Sequence, residues 1–261
     1  MRLTFRLLLA FIIFLSAAQS GFGQYGETIR SGRPGQSIGP FTVGKGILQI
    51  QSGMDVFGFE DDAANVKGDG FLNNTVVRYG LAERFEISAL TDFRYETINL
   101  SGTEADRGGL ASFDVGGRYH IYTGHGLVPN LGFQLRFRLP ILSDDYKIDD
   151  VAPRFTIITS QQLSETFTLF TNWGASWNGV NSTATGFYTI NLAFPISGRL
   201  GGFIENYGST TDGNFDSRFD AGFSYLINND LQFDLLGGPG KNDGVKDYFI
   251  SLGVSWRTRR K

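Results

Sequence analysis

Hydrophobic and polar residues alternate with a period of two over most of the chain, from Gly46 onward. In residues 131–139 the odd-numbered positions are all Leu or Phe, whereas the even-numbered positions are Gly, Gln or Arg. Residues 85–96 and 248–256 repeat the pattern almost as clearly. A period of two is typical of β-strands with one apolar and one polar face. The pattern predicts an all-β protein.

Twelve segments follow this alternation and are predicted to be antiparallel strands. Their expected bounds are 47–57, 71–79, 85–96, 111–121, 131–139, 152–160, 167–177, 186–194, 200–207, 217–226, 231–237 and 248–256. The ninth segment fits least well, because Phe203 shares a face with Glu205. Connections after even-numbered strands are short, as in Gly80–Arg84, and those after odd-numbered strands are expected to be longer, as in Gly58–Gly70 and Thr97–Leu110. This rhythm is typical of outer-membrane barrels.

The direction of the apolar face decides between a membrane barrel and a soluble protein. About eight strands already give an interior that side chains can fill, so a larger closed barrel would contain a void if Phe and Leu pointed inward. Lipid also requires closure, because an open sheet edge would leave backbone groups unpaired in hydrocarbon. We therefore predict a transmembrane up-and-down antiparallel β-barrel of about 12 strands. The alternative is a secreted two-sheet sandwich.

Aromatic residues near the predicted strand ends fit the two interfacial girdles of such a barrel. The expected periplasmic girdle contains Tyr79, Phe85, Tyr119, Tyr225 and Trp256, and the expected outer girdle contains Tyr95, Phe137, Trp177, Tyr188 and Tyr248. A sandwich would not explain this placement.

The first residues of the chain, 1–23, have the organisation of a secretory signal peptide. Arg2 and Arg6 precede the apolar run Leu7–Leu15. That run is too short for a membrane-spanning helix, which needs about 20 residues. Cleavage is expected after Gly23, with cleavage after Ser20 as the alternative.

The remaining chain is expected to have three parts. Residues 24–45 would form a periplasmic segment that could fold into the lumen as a small plug. Residues 46–256 would form the barrel, and residues 257–261 a basic periplasmic tail. The expected location is the outer membrane of a Gram-negative-type bacterium, with both termini in the periplasm.

Composition excludes several classes of function and partner. The chain contains 0 Cys, which rules out disulfides, thiolate chemistry and cysteine-based zinc sites. The formal net charge is only -3, and no basic patch with interleaved aromatics points to a nucleic-acid partner. The expected partners are outer-membrane lipids, the barrel-assembly machinery and a small-molecule solute, and a monomer is expected.

Charged residues on the polar faces of the strands are the candidate functional residues, because they would line the lumen. They are Arg78, Glu86, Asp92, Arg94, Asp114, Arg118, Arg136, Arg138, Arg154, Glu205, Arg218 and Asp220. Charges of this kind tune the ion selectivity and the width of a pore. If they instead pair so tightly that the lumen is closed, the barrel would be a structural anchor or an adhesin.

Catalytic residues are not expected. The chain has only His120 and His125 as candidate bases, the first on the polar face of a strand and the second in a predicted periplasmic turn. A nucleophilic site needs a base beside the nucleophile and a third group that orients the base. His120 is more simply a lumen residue in a charge network with Arg118 and Asp114. We therefore expect no enzyme, no cofactor and no metal, with an outer-membrane hydrolase as the weakest alternative.

Several short motifs are similar to those of a known family. The first group is Arg33-Pro34, Pro40-Phe41-Thr42-Val43 and Lys45-Gly46, followed by Gln49 and Gly53. The second is Arg78-Tyr79-Gly80-Leu81 with Arg84 and Glu86, then Asp220-Ala221-Gly222 and Asn229-Asp230-Leu231-Gln232. Together they resemble the "meta-pathway of phenol degradation" outer-membrane family, whose members are often described as transporters. The chain departs from the family pattern at Gly32, Gly44 and Gln51.

The resemblance implies an outer-membrane barrel that passes small, aromatic or hydrophobic compounds. The residues and the resemblance lead to one expected function, which is passive passage of small solutes through a charged lumen.

Overall fold

The computed structural model describes residues 25–126, 128–242 and 245–260, and within them twelve antiparallel strands close into one barrel. The strands are β1 (Leu48–Asp61), β2 (Val66–Ala82), β3 (Phe85–Leu100), β4 (Thr103–Tyr122), β5 (Asn130–Arg138), β6 (Ala152–Gln162), β7 (Thr168–Trp177), β8 (Ala184–Ser197), β9 (Leu200–Thr211), β10 (Asn214–Asn228), β11 (Leu231–Asn242) and β12 (Val245–Arg257). Each strand pairs with its neighbours in sequence, and β12 closes the barrel against β1. The predicted fold class is confirmed. The predicted signal peptide lies outside the described residues.

The described part of the chain contains no helix that is long and apolar enough to cross a membrane.

The barrel has a terminal end, where β1 begins and β12 ends, and a far end. Arg257 is the last residue of β12. The expected boundary between barrel and tail therefore moves by one residue.

The prediction of long connections at the far end is wrong for most hairpins. β3 and β4 extend until Ser101 and Gly102 join them, and β9 and β10 extend until Asp212 and Gly213 join them. All four residues have positive φ, from 51° to 93°. Positive φ at both central residues is the condition for a tight type I′ hairpin turn, whose twist matches that of the strands. The polar stretches predicted as loops are therefore strand.

Residues 139–151 form the one far-end connection, among those described, that remains long. β5 and β6 are short strands, so this segment packs beside the longer β4 instead of extending the barrel wall. Leu139 N donates to Phe113 O at 2.9 Å, and Ser143 N donates to Leu110 O at 3.1 Å.

The apolar side chains face outward. Phe133, Phe137 and Leu252 are 36%, 38% and 62% exposed, whereas Ser251 and Ser255 on the other face of β12 are 1% and 0% exposed. A water-soluble protein would reverse this arrangement, since apolar surface is removed from water on folding. The outward orientation that the strand count predicted is confirmed, and the two-sheet sandwich is excluded by closure of the sheet.

Aromatic residues are exposed at both ends of the outer surface. Tyr79 and Tyr225 lie near the terminal end, and Tyr95 and Tyr248 lie near the far end. Each ring can place its apolar body against lipid and its hydroxyl group at the headgroups.

The break in the alternation of the ninth strand has a structural cause. Phe203 and Glu205 both point into the barrel and are 5% and 2% exposed. A side chain added at Gly35, in the segment before β1, would lie 3.0 Å from the Phe203 ring. Phe203 is therefore an inward apolar residue because it packs against this segment and not against water.

Candidate functional site

The inner face of the barrel is polar and, in its terminal half, densely occupied. Residues 25–45, here called the N-terminal segment, hydrogen-bond to side chains on strands all round the barrel. Ile29, Pro40, Thr42 and Val43 of this segment are buried. Buried polar groups need partners, and here the inward side chains and the segment backbone supply them for each other.

Glu86 on β3 is the centre of the first anchor of the segment. Its carboxylate accepts bonds from Arg78 Nε at 2.8 Å and Arg78 Nη2 at 2.9 Å, and Arg118 Nε lies 3.6 Å away. The backbone N–H of Val43 donates to the same carboxylate at 2.8 Å. Glu86 is 0% exposed. Two arginines and one segment residue therefore converge on a single buried charge.

The two arginines also hold the segment directly. Arg78 donates to the carbonyl oxygens of Arg30 and Phe41, both at 3.1 Å. Arg118 donates to the carbonyl oxygen of Gly39 at 2.9 Å and to that of Phe41 at 3.3 Å. Because guanidinium groups present several donors in a fixed plane, each arginine bridges Glu86 to the segment backbone.

The opposite wall supplies a second anchor. Glu205 on β9 accepts bonds from the backbone N–H groups of Gln36 at 2.6 Å and Ser37 at 2.9 Å. The side-chain amide of Asn172 on β7 accepts from Ile38 N at 2.8 Å and donates to Ile38 O at 2.9 Å. The hydroxyl oxygens of Ser37 and Thr189 lie 2.6 Å apart.

A third anchor lies on β11 and β12. Arg33 of the segment pairs with Asp234 at 3.0 Å and donates to the Ser251 hydroxyl at 2.7 Å. Gln232 donates to the Arg33 carbonyl at 3.0 Å. The segment therefore contacts both halves of the wall.

A further ionic cluster holds the start of the segment at the rim of the terminal end. Arg257 donates to Asp230 at 2.9 Å and to the carbonyl oxygens of Gly26 and Glu27 at 3.0 and 2.9 Å. Arg259 bonds the other Asp230 oxygen at 2.8 Å. Burial by itself would raise the pKa of Asp230, but the bonds from Arg257 and Arg259 outweigh burial and hold this pKa below its ordinary value.

His120 serves the same segment. Its ring nitrogens lie 3.2 Å from Pro40 O and 2.8 Å from Thr123 Oγ1, and its ring stacks on Phe41 with centroids 5.4 Å apart. The expected charge network with Arg118 and Asp114 is not formed. Instead, one ring nitrogen contacts Pro40 of the segment and the other contacts Thr123.

A cavity of about 280 Å³ remains between the segment and the wall of the barrel. Phe41, Phe170 and Phe203 supply apolar surface to its lining, and Arg30, Arg118 and Asn191 supply polar groups. The cavity therefore combines ring surfaces with donors of hydrogen bonds.

Beyond the segment, the far half of the inner face is open to solvent and is here called the vestibule. The side chains of Arg94, Arg138 and Arg218 are 35%, 39% and 34% exposed there. Each has a carboxylate partner: Glu96 at 2.6 Å, Asp114 at 3.3 Å and Asp247 at 2.6 Å, respectively.

The predicted lumen residues thus fall into groups. Arg78, Glu86, Arg118 and Glu205 contact the N-terminal segment, whereas Asp92, Arg94, Asp114, Arg136, Arg138, Arg154, Arg218 and Asp220 do not bond to it in the described structure. Asp92 accepts a short bond from Asn74. Both carboxylate oxygens of Asp220 are buried without a hydrogen-bond partner among the described residues.

Sequence reasoning concentrated on charge and missed neutral and late-chain anchors. They are Asn172, Thr189, Gln232, Asp234, Ser251 and Arg257. All except Arg257, which the predicted bounds of the last strand placed in the tail, occupy polar-face positions of predicted strands, so the same alternation could have identified them.

A closed barrel with an apolar exterior, a polar interior and a segment folded against that interior defines the class of outer-membrane-type β-barrel proteins. The model of the family "Putative MetA-pathway of phenol degradation" matches residues 31–258. The chain belongs to this family, and the resemblance inferred from the short motifs is confirmed.

Solved structures share the fold. The COG4313 outer membrane channel from Pseudomonas putida F1 aligns with a TM-score of 0.68 at 11% identity, covering 87% of this chain and 99% of that chain. The NanC porin aligns with a TM-score of 0.52 at 9% identity, covering 78% and 98%. The transport unit of the autotransporter AIDA-I from Escherichia coli aligns with a TM-score of 0.50 at 9% identity, covering 80% and 89%. No curated protein sequence matches the chain.

Proposed function

We propose that this protein is an outer-membrane channel for passive passage of small solutes, with the N-terminal segment as a plug that controls the width of the lumen. One observation carries the proposal: the far half of the polar interior is open, whereas the terminal half is filled by a segment held through hydrogen bonds. Such bonds exchange with water at modest net free energy, so they can open without unfolding the barrel.

The size and lining of the cavity indicate the class of solute. Its volume of about 280 Å³ lies just below the range of about 300–1,000 Å³ that is typical of drug-sized ligand sites. Phe41, Phe170 and Phe203 offer ring surface. We infer small solutes, aromatic or hydrophobic ones among them. The related structure named an outer membrane channel supports the same reading through its fold.

The orientation follows from the same proposal. The longest described connection, residues 139–151, lies at the far end, and outer-membrane barrels have their longer loops outside and their short turns in the periplasm. The terminal end, with both termini, would therefore face the periplasm and the vestibule the outside. A monomer surrounded by outer-membrane lipid, inserted by the barrel-assembly machinery, is sufficient for this role.

A second candidate function is a closed anchor or adhesin barrel. The contacts that favour it are the three anchors of the segment, which reach both halves of the wall. Hydrolysis is not proposed, because both ring nitrogens of His120 are already engaged with Pro40 and Thr123.

A disulfide lock distinguishes the channel from the anchor. The chain has 0 Cys, and the hydroxyl oxygens of Ser37 and Thr189 are 2.6 Å apart, so the S37C/T189C variant should form a bond between segment and wall. We expect discrete conductance steps in planar bilayers for the unmodified protein and for the reduced variant. Oxidation should reduce the conductance, and a reductant should restore it.

The T185C/T211C variant is the matched control, because these hydroxyl oxygens are 2.7 Å apart but join two strands. Its conductance should not change on oxidation. Equal conductance of the locked and reduced S37C/T189C protein would refute the plug. The absence of any conductance from correctly folded protein would favour the anchor.

A further inference from the structure

We propose that Arg136 and Arg154, together with Phe187, form a subsite for a small aromatic carboxylate in the vestibule. This proposal rests on the proposed function, because it names a class of solute that the lumen would recognise. It starts from the register of β5 and β6, in which Arg136 lies directly opposite Arg154. Like charges at directly opposed positions destabilise a sheet unless an anion compensates them.

No protein carboxylate neutralises this pair by contact. Arg94, Arg138 and Arg218 each form an ion pair, but neither Arg136 nor Arg154 lies within ion-pair distance of an acidic group in the described part of the chain. Nε of Arg136 is also buried without a hydrogen-bond partner among the described residues. Both guanidinium groups therefore retain donors for an external anion.

An aromatic ring completes the subsite. The guanidinium carbon of Arg154 lies 3.8 Å from the centre of the Phe187 ring. Gly174 makes room for that ring, since a side-chain carbon at this position would lie 2.5 Å from it. Gly116, opposite Arg136, similarly leaves space, since a side-chain carbon there would lie 2.9 Å from Arg136 Cγ. The two glycines therefore let long side chains lie flat on the wall.

The chemistry of the three groups selects one ligand class. Guanidinium groups bind carboxylates through paired N–H···O bonds, and a neighbouring ring adds offset or edge-to-face contact with an aromatic ligand. Arg154 is exposed, so a solute in the vestibule can reach it. An aromatic carboxylate satisfies both features at once.

Calorimetric titration of the purified full-length protein with sodium benzoate tests the proposal. Loss of one charge-assisted contact should raise the dissociation constant about tenfold in R136Q and in R154Q. The control variant is R138Q. Arg138 lies on the same strand as Arg136 but is already paired with Asp114, so its replacement should change the dissociation constant less than about twofold. R136K and R154K retain the positive charge but not the planar set of donors of a guanidinium group, and should give intermediate dissociation constants. They replace the glutamine variants if one of those fails to fold.

Sodium acetate and inorganic phosphate distinguish an aromatic subsite from a general anion site. Benzoate should bind at least about tenfold more tightly than acetate, and F187L should reduce this difference. Equal binding of the three anions, or unchanged benzoate binding in R136Q and R154Q, would overturn the proposal. Benzoate binding without channel conductance would refute the proposed channel function but not the subsite. Conductance without benzoate binding would refute the subsite alone.

Discussion

Replacement of Glu86 by Gln tests how much the buried charge at the first anchor of the N-terminal segment contributes to the stability of the folded protein. Glu86 is 0% exposed, and its carboxylate accepts three bonds of 2.8 to 2.9 Å, two from Arg78 and one from the Val43 N–H. The amide in E86Q keeps one acceptor oxygen but loses the charge. Two guanidinium groups, those of Arg78 and Arg118, would then remain buried and uncompensated; both are almost inaccessible to water.

The expected magnitude follows from this burial. Removing one partner of a buried ion pair destabilises a protein by about 3–5 kcal/mol, because the remaining charge cannot regain its hydration. Since both arginines keep their bonds to segment carbonyl groups, we expect the lower value, a loss of about 3 kcal/mol in the free energy of unfolding. Urea unfolding of the barrel in detergent micelles, followed by tryptophan fluorescence, measures this loss by linear extrapolation.

E96Q is the matched control, because Glu96 lies on the same strand and the same face. Its partners Arg94 and Arg107 have side chains that are 35% and 42% exposed, so they remain hydrated when the carboxylate is lost. The expected loss is about 1 kcal/mol or less. Glu96 is itself only 3% exposed, so equal losses in E86Q and E96Q would refute the reasoning that burial of the arginine partners gives Glu86 its importance.

Three further predictions address other parts of the molecule. L252R places a charge on the lipid face, where Leu252 is 62% exposed, and should destabilise the barrel in vesicles by about 2–4 kcal/mol, whereas Y248R near the rim should have an effect of about 1 kcal/mol or less. G80A places a methyl group against the backbone carbonyl oxygen of Gly44, which cannot rotate away as a side chain could, and should destabilise the protein by about 1–3 kcal/mol, measured as a shift in the urea midpoint. The pKa of Asp230 is lower in the folded state than in the unfolded state. Its contribution to stability is therefore complete at pH values above the unfolded-state pKa of about 3.9 and is lost as the pH falls through the folded-state pKa. D230N should therefore flatten the acid side of the stability profile, and an unchanged profile would contradict that role.

The sequence determined the strands and the direction of their faces, since both depend on local alternation. The outward Phe133 and inward Gln134 follow directly from a period of two. The strand number followed from the count of alternating segments, and closure followed because an open sheet edge would leave backbone groups unpaired in lipid. The tight turns were missed although Asp212-Gly213 and Ser101-Gly102 carry a recognisable hairpin signal.

Only the tertiary structure decided which inward residues meet. The alternation places Glu86 and Glu205 on the inner face, but it cannot bring Val43 to one of them and Gln36 to the other, because these contacts join parts of the chain that are distant in sequence. It also could not separate the paired Arg138 from Arg136, since pairing depends on side-chain geometry across strands. The local pattern determines the face on which a side chain lies, whereas its partners depend on the path of the segment through the lumen and on side-chain geometry across neighbouring strands.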